Sequence, residues 1–558
     1  SKLFFYTFMH AHTPLALDGQ RREWCRVLTL LLVLLPCISC ATVVPLSQSP
    51  KSAGDKRQHA QRLAQQQALA DLQAEKFHLQ AKELKLEMEL RQFRRGLFPP
   101  PLPPLPLPPS LAAPPYNLAT KPSTTEMRRG EYSALWSDFG FPADGMGFAN
   151  NVSEADLDVL LSEVLQDIFR VRSFERTPVG WLLRGSLRQG APQASRLVTA
   201  RLSVLPVGTR VRLFLIRDPT PLAVSDDEAE WGHDEREAVF YALSATVSPM
   251  AAQERGAALP LAAPLCAAAS LLTSLSFFPA LYADSATLTA VDLLDELVTF
   301  SGGVLALQAV HDLAHAAVAR IHHLRIKFPL FLPSADLGIF GSHIPLASFP
   351  PNRTTLADFS LSGPLVGGIT SLAFLVCGLF LTATSSSDTL ALYPSVPPAL
   401  LHSSLLLKLI FEATLHSYNA FDISATYHLH PLALIGAIGL LSNAFALVPI
   451  GRLDGGRAAV ACFGRRAASA LGGLSILALS IGIFSSDFSS MLLPWSAASV
   501  LLFRQAEVPC VDEISDVEAT RCLLFQLLLL FSALCLWPAP ATESDFSFAE
   551  QLARTGIM

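Results

Sequence analysis

Charge is scarce in this chain of 558 residues: Asp, Glu, Lys and Arg make up only 16% of it, against about 25% in ordinary soluble proteins. The net charge is a modest −6. No basic patch interleaved with aromatics occurs, so nucleic acid is excluded as a partner. Cysteine is sparse too, with 9 scattered residues. The C-x-x-C pair Cys37 and Cys40 ends a segment that looks like an address, and Cys266, Cys377 and Cys535 lie in apolar stretches. Neither a disulfide framework nor a cysteine metal site is expected. What is abundant is apolar surface: 51% hydrophobic residues and a mean hydropathy of +0.39. The expected class is an α-helical polytopic membrane protein with an N-terminal soluble α+β domain.

Composition divides the chain. In residues 1–41, Arg21, Arg22 and Arg26 precede the apolar run Val27–Leu35 and the small residues Ser39-Cys40-Ala41. That is a signal-like targeting pattern, too short to span a bilayer, with Met9 as the expected start. Residues 42–98 include Lys51–Arg95, a charged helix or coiled coil that serves as a spacer or a partner surface. Ten prolines in Pro99–Pro115 make 99–130 a semi-rigid polyproline linker. Residues 131–257 read as the α+β domain. Leu157, Leu160, Leu161, Val164, Leu165 and Ile168 give a helix over Ala155–Phe169, and Trp181–Leu187, Leu197–Leu205 and Val211–Ile216 read as strands. No nucleophile–base set or phosphate loop is visible there, and Asp226, Asp227, Glu228 and Glu230 read as a solvated loop.

The membrane domain is expected over 258–540, followed by a tail at 541–558. Its apolar segments are 259–283, 297–320, 359–384, 397–415, 431–450, 467–485, 490–503 and 521–538. Arg320, Arg325 and Lys327 follow the second segment; Arg452, Arg457, Arg465 and Arg466 follow the fifth; Arg504 and Arg521 flank the last loop. The positive-inside rule places these clusters on one face and 284–296 and 385–396 on the other. That parity requires one segment to enter without crossing. Segment 397–415, with Lys408 and Glu412 four apart, is the best candidate, leaving seven true spans.

Within the second segment stands His311-Asp312-Leu313-Ala314-His315, and just past the fifth stands Leu453-Asp454-Gly455-Gly456-Arg457. Residues i and i+4 share a helix face, so both imidazoles could hold one metal ion while Asp454 supplies a third ligand. Two helix-facing histidines bonded to neighbouring helices are the plainer alternative. Ionisable groups at membrane depth are costly and usually functional, which favours a zinc site built for hydrolysis of a buried bond.

These residues resemble the site-2 protease family of intramembrane zinc metalloproteases, and within it the plastid branch of ethylene-dependent gravitropism-deficient and yellow-green proteins. The marks are the HDLAH element, the step Ser362-Gly363-Pro364, and the run from Asn443 through Pro449 to Leu453-Asp454-Gly455-Gly456-Arg457. The likeness covers roughly Gly302–Pro540. It implies a site-2 protease-like core in a plastid membrane, His311, His315 and Asp454 as zinc ligands, Asp312 as the catalytic carboxylate, Asn443 and Gly455 as substrate-binding residues, and membrane protein substrates amid membrane lipid. Three positions depart from the family pattern: Asp312 replaces Glu, Ala314 replaces Gly, and Ala446 replaces Asn. Asp is one methylene, about 1.5 Å, shorter than Glu, and a misplacement of about 1 Å can cost on the order of 10²-fold.

Ile326–Leu346, broken by Pro329, Pro333 and Gly338, reads either as an extended edge able to hold substrate by strand addition or as a loop over the bundle. His322, His323, His343, His402, His416, His428 and His430 are expected in loops or at interfaces. Two other functions compete with a protease: a catalytically silent scaffold or chaperone, which Asp312 and Ala446 favour, and a transporter relaying through Lys408, Glu412 and Asp454. The latter needs no zinc triad, and no internal repeat supports it.

Overall fold

The computed structural model describes residues 124–126, 152–177, 180–218, 238–247, 262–281, 290–396, 404–415, 427–485 and 489–537. The chain divides into Ser1–Pro115 and Tyr116–Met558, and all described residues belong to the second unit. The targeting-like segment, the charged region, the proline run, the acidic patch and the tail lie outside the described residues.

The polar domain is a five-stranded sheet. Its strands are β1 (Thr124–Glu126), β2 (Phe169–Thr177), β3 (Gly180–Leu187), β4 (Val211–Arg217) and β5 (Ala238–Ser244), in the order β1-β2-β3-β5-β4. β1 runs parallel to β2 and the other pairs are antiparallel. Three sequence expectations are corrected here. β1 comes from the stretch assigned to the proline-rich linker. Residues 155–169 form only a short helix α1 (Glu154–Val159), capped by the Ser153 hydroxyl, which widens into a π turn at Leu160–Val164. Leu197–Leu205 is no strand but part of helix α2 (Ala191–Val204). Its buried Ala191, Ala194 and Val198 are spaced three and four apart, which is a helix face. β5 was not anticipated because it is buried at every position, so it lacks the alternation of a half-exposed strand.

The membrane half contains α3 (Ala262–Leu281), α4 (Ala290–Ile321), the hairpin β6 (Leu330–Ser334) and β7 (Gly338–His343), and α5 (Arg353–Thr384). After these come β8 (Ser395–Val396), α6 (Leu405–Leu415), β9 (Tyr427–His428), α7 (Pro431–Ala446) and α8 (Asp454–Phe463). The last helices are α9 (Arg465–Ser485), α10 (Ser489–Ala498) and α11 (Ala519–Leu536). Of the seven crossings expected, four helices among the described residues are long and apolar enough by themselves: Glu296–Ile321 of α4, α5, Arg465–Ile483 of α9, and α11. α7 has 16 residues, about 24 Å of helix, and is buried along nearly its whole length against α4, α5 and α11. α5 and α7 touch backbone to backbone, since a Cβ added at Gly378 would lie 2.1 Å from the Ala433 nitrogen. Phe300, Leu307, Leu375, Leu434, Ile438 and Trp495 share one apolar core.

β8 pairs with β9, so the chain between them leaves and returns at one end of the bundle. α6, with 11 residues, is about 16 Å long, which fits a segment that enters without crossing. At the other end the basic loops meet. Val511 donates to the Pro350 carbonyl at 2.8 Å, Arg353 Nε to the Ala461 carbonyl at 2.9 Å, and Arg465 pairs with Glu513 at 2.8 Å. The sheet docks on this end: Leu215 donates to Val511 at 2.8 Å and accepts from Glu513 at 2.9 Å. Leu182, Phe214 and Tyr241 cover Phe349 and Val511, which explains why the strands are buried on both faces.

Candidate metal centre

α4 presents His311 and His315 one turn apart, and α8 begins at Asp454. Pro449 closes the reach of α7, and Leu453 makes the entry to α8. A Cβ on Gly455 would stand 1.8 Å from the Leu447 carbonyl oxygen, so only glycine lets the preceding turn fold onto the helix start that carries Asp454. The three side chains converge. The two Nε2 atoms are 3.1 Å apart, and Asp454 Oδ2 lies 3.2 Å from His315 Nε2 and 3.4 Å from His311 Nε2. They are only 3%, 1% and 5% exposed in the order His311, His315, Asp454. Among the described residues this is the group whose donor atoms could hold a metal ion.

The hydrogen bonds behind the rings decide what fits between them. Asn443 Nδ2 donates to the Gly439 carbonyl at 2.7 Å, so its Oδ1 is an acceptor, and His311 Nδ1 donates to it at 2.9 Å. His315 Nδ1 donates to the Phe359 carbonyl at 2.7 Å. With the Nδ1 positions donating in this way, the Nε2 atoms are the ones left to bind a metal, and they face a carboxylate oxygen. The spacing of this trio matches the ligand separations of about 3.3 Å around tetrahedral zinc. Gly363 keeps the space open: a Cβ there would lie 2.2 Å from His315 Nε2 and 2.7 Å from His311 Nε2.

Asp312 does not join this group. Half-buried, it turns toward β7, where its Oδ1 accepts the Ser342 hydroxyl and, at 3.0 Å, the Gln308 amide. Asn443, expected at the substrate, holds His311, and Gly455 is buried in close packing. Ile326–Leu346 does form a hairpin, closed by an Ile326–Leu346 bridge. β7 is buried throughout; its Gly338 and Phe340 carbonyls accept from Thr273 and Ser442. His343, expected in a loop or at an interface, is a buried β7 residue; burial, with the nearby charge of Arg457, pushes its imidazole down to about 3.

Sequence reading missed a second layer. Arg457, fully buried on α8, binds the Glu507 carboxylate through Nε and brings NH1 to 3.7 Å from Asp454 Oδ1. Burial raises the Glu507 carboxyl, but Arg457 and Arg452 more than offset this and hold it below the usual carboxylate range. Arg457 was legible as the i+3 neighbour of Asp454; Glu507, in a distant loop, carried no local signal.

The chain is 34% identical over 246 residues to the probable zinc metalloprotease EGY1, chloroplastic, of Oryza sativa subsp. japonica, covering 43% of this chain and 41% of that protein. It is equally 34% identical over 245 residues to the probable zinc metalloprotease EGY1, chloroplastic, of Arabidopsis thaliana, 44% of this chain and 43% of that one. It is 28% identical over 394 residues to the probable zinc metalloprotease EGY2, chloroplastic, of Oryza sativa subsp. indica, 70% and 67% of the two chains. The match spans about two fifths of the first two relatives. No family model and no solved structure matches the chain.

Proposed function

We propose that this chain, a relative of the chloroplastic zinc metalloproteases of the ethylene-dependent gravitropism-deficient and yellow-green branch, is a multi-pass zinc endopeptidase of a plastid membrane. Its core would be site-2 protease-like and its substrates membrane-embedded proteins. The observation that carries the reading is the buried meeting of His311, His315 and Asp454 between the long apolar helix α4 and the start of α8. The relatives' names, zinc metalloproteases of the chloroplast, support zinc and the plastid.

When bound, zinc supplies a Lewis acid and a water acidified to a pKa of about 7. His311 and His315 orient its site through Nδ1, and Asp454 contributes Oδ2. Asp312 is the residue placed in sequence to hold a proton, and Oδ2 is its available atom, since Oδ1 carries the Ser342 and Gln308 hydrogen bonds. Those bonds favour a second reading, a catalytically silent scaffold with an intact metal site.

The test is a transmembrane reporter incubated with the purified full chain, with zinc and with a chelator. Slow, chelator-sensitive cleavage supports the protease. An intact reporter with both wild type and Asp312→Glu, zinc being bound in each, selects the scaffold.

A further inference from the structure

Beside α9 lies a cavity of about 720 Å³ that the metal centre does not use. Arg217, Arg353, Arg465, Arg466 and Arg504 stand on its wall, with Asp218, Glu507 and Glu513. The acids already have cations: Asp218 pairs with Arg184, Glu507 with Arg457, and Glu513 with Arg465. No carboxylate of the described residues pairs with Arg353, Arg466 or Arg504, and the last two are exposed. The cavity wall then descends α9 through Ala468, Ser469, Gly472, Gly473 and Ile476. From Arg465 to Ile476 that stripe drops about 16 Å, changing from guanidinium to hydrocarbon. A Cβ on Gly473 would meet nothing within 4 Å, and the adjacent Leu474 and Leu477 are exposed on a candidate span that is only 11% buried.

We infer that this cavity binds one membrane lipid with an anionic headgroup. The phosphate or sulfonate sits among Arg353, Arg466 and Arg504, and an acyl chain lies over Gly473, whose Cβ direction is open. Three cations without a carboxylate partner, one of them already donating Nε to the Ala461 carbonyl, offer charge to a negative headgroup, while the apolar descent gives a free phosphate nothing to contact. The cavity lies at the end of the bundle where the basic loops gather. The cavity shares Glu507 with the layer behind Asp454, but Arg353, Arg466 and Arg504 touch no metal ligand, so lipid binding can be tested apart from the protease reading.

Full-length protein in neutral detergent is titrated with phosphatidylglycerol, with phosphatidylcholine of the same acyl chains, and with glycerol 1-phosphate, binding being read by native mass spectrometry. Phosphatidylglycerol should bind at least about tenfold more tightly than either control. Arg466→Gln and Arg504→Gln should each weaken it about fivefold, with zinc content unchanged as a sign of intact folding. Gly473→Leu, which grows into open space, should fill the groove and reduce lipid binding. Equal affinity for the two phospholipids overturns the proposal without recourse to any variant. So does full binding by the double arginine variant, and glycerol 1-phosphate binding as tightly as the lipid assigns the arginines to a free anion instead.

Discussion

The Ser342 hydroxyl donates to Asp312 Oδ1, joining β7 to the helix that carries the two histidines. Gln308 closes the triangle, with Nε2 3.0 Å from Asp312 Oδ1 and 2.9 Å from Ser342 Oγ. The carboxylate next in sequence to His311 is thus held by the hairpin. A chain one methylene longer would carry its oxygens about 1.5 Å further.

Asp312→Glu is therefore expected to raise cleavage of a transmembrane reporter, by up to about 10²-fold. Asp312→Asn should abolish turnover and keep its zinc, because Asp312 is no ligand in this reading. Turnover and elemental zinc measured on the same preparations check both statements. Loss of metal in Asp312→Asn would refute the separation of base from ligand.

Wild-type protein should carry about one zinc ion per chain. His315→Ala and Asp454→Ala should carry nearly none, since two protein ligands in place of three leave the ion weakly held. Elemental analysis after gel filtration decides it. Equal zinc in all three proteins would remove the site from consideration.

Much of this site was legible because its parts are short-range. His311 and His315 sit one helical turn apart, and Asp454 opens the glycine-rich helix start. Each apolar segment coincides with a helix among the described residues, four of them long enough to span, since long apolar runs carry their own signal. What escaped reading is long-range or two-sided. Ser342 meets Asp312 only through the hairpin's fold. Glu507 reaches Arg457 across 50 residues. Leu197–Leu205 read as a strand because the start of its helical face, Ala191 and Ala194, lies upstream of the stretch and small alanines weigh little in an apolar pattern. Asn443 was assigned to substrate, yet nothing in its local sequence reveals that His311 lies against it.

Loops 321–358, 452–466 and 504–520 should lie on one side of the membrane, and 385–396 on the other. The contacts Val511 to Pro350 and Arg465 to Glu513 already draw the three basic loops together. Single-cysteine labelling at the exposed positions 328 and 463 with an impermeant reagent should mark both from one side. Labelling from opposite sides would break both the parity and the shared metal.

Acid should loosen the sheet domain through Asp156. The Arg210 guanidinium, hydrogen-bonded to it at 3.0 Å through Nε, holds its carboxyl below the usual range, with burial opposing and Ser153 assisting. A depressed folded value means that this contribution is fully present above the unfolded pKa of about 3.9 and is lost as pH falls through the lower folded value. Wild type should therefore out-protect Asp156→Asn by a constant margin from pH 7 to near 4, and the margin should shrink below that. Hydrogen exchange of β3 amides in the full chain, corrected for intrinsic rates, provides the measurement. A margin that widens with acid would reverse the assignment.

Arg457 is predicted to position Asp454 for the metal. Its NH1 faces Asp454 Oδ1 at 3.7 Å while Oδ2 faces the histidines, so the guanidinium and the metal would take opposite oxygens of one carboxylate. Its carbon lies 5.5 Å over the Phe359 ring, whose own residue accepts from His315 through its carbonyl. NH1 and NH2 have no hydrogen-bond partner among the described residues, so this buried cation is held by Glu507 and the field of Asp454. Partners behind metal ligands typically change affinity by about 10–100-fold. Arg457→Gln should weaken zinc binding by that order in a competition titration with a chelating dye, and Arg457→Lys, which keeps the charge but loses the fork, should recover part of it. A purely structural arginine would give a different pattern: Gln and Lys would lower the yield of folded protein alike, while the folded fraction of each bound zinc as tightly as wild type.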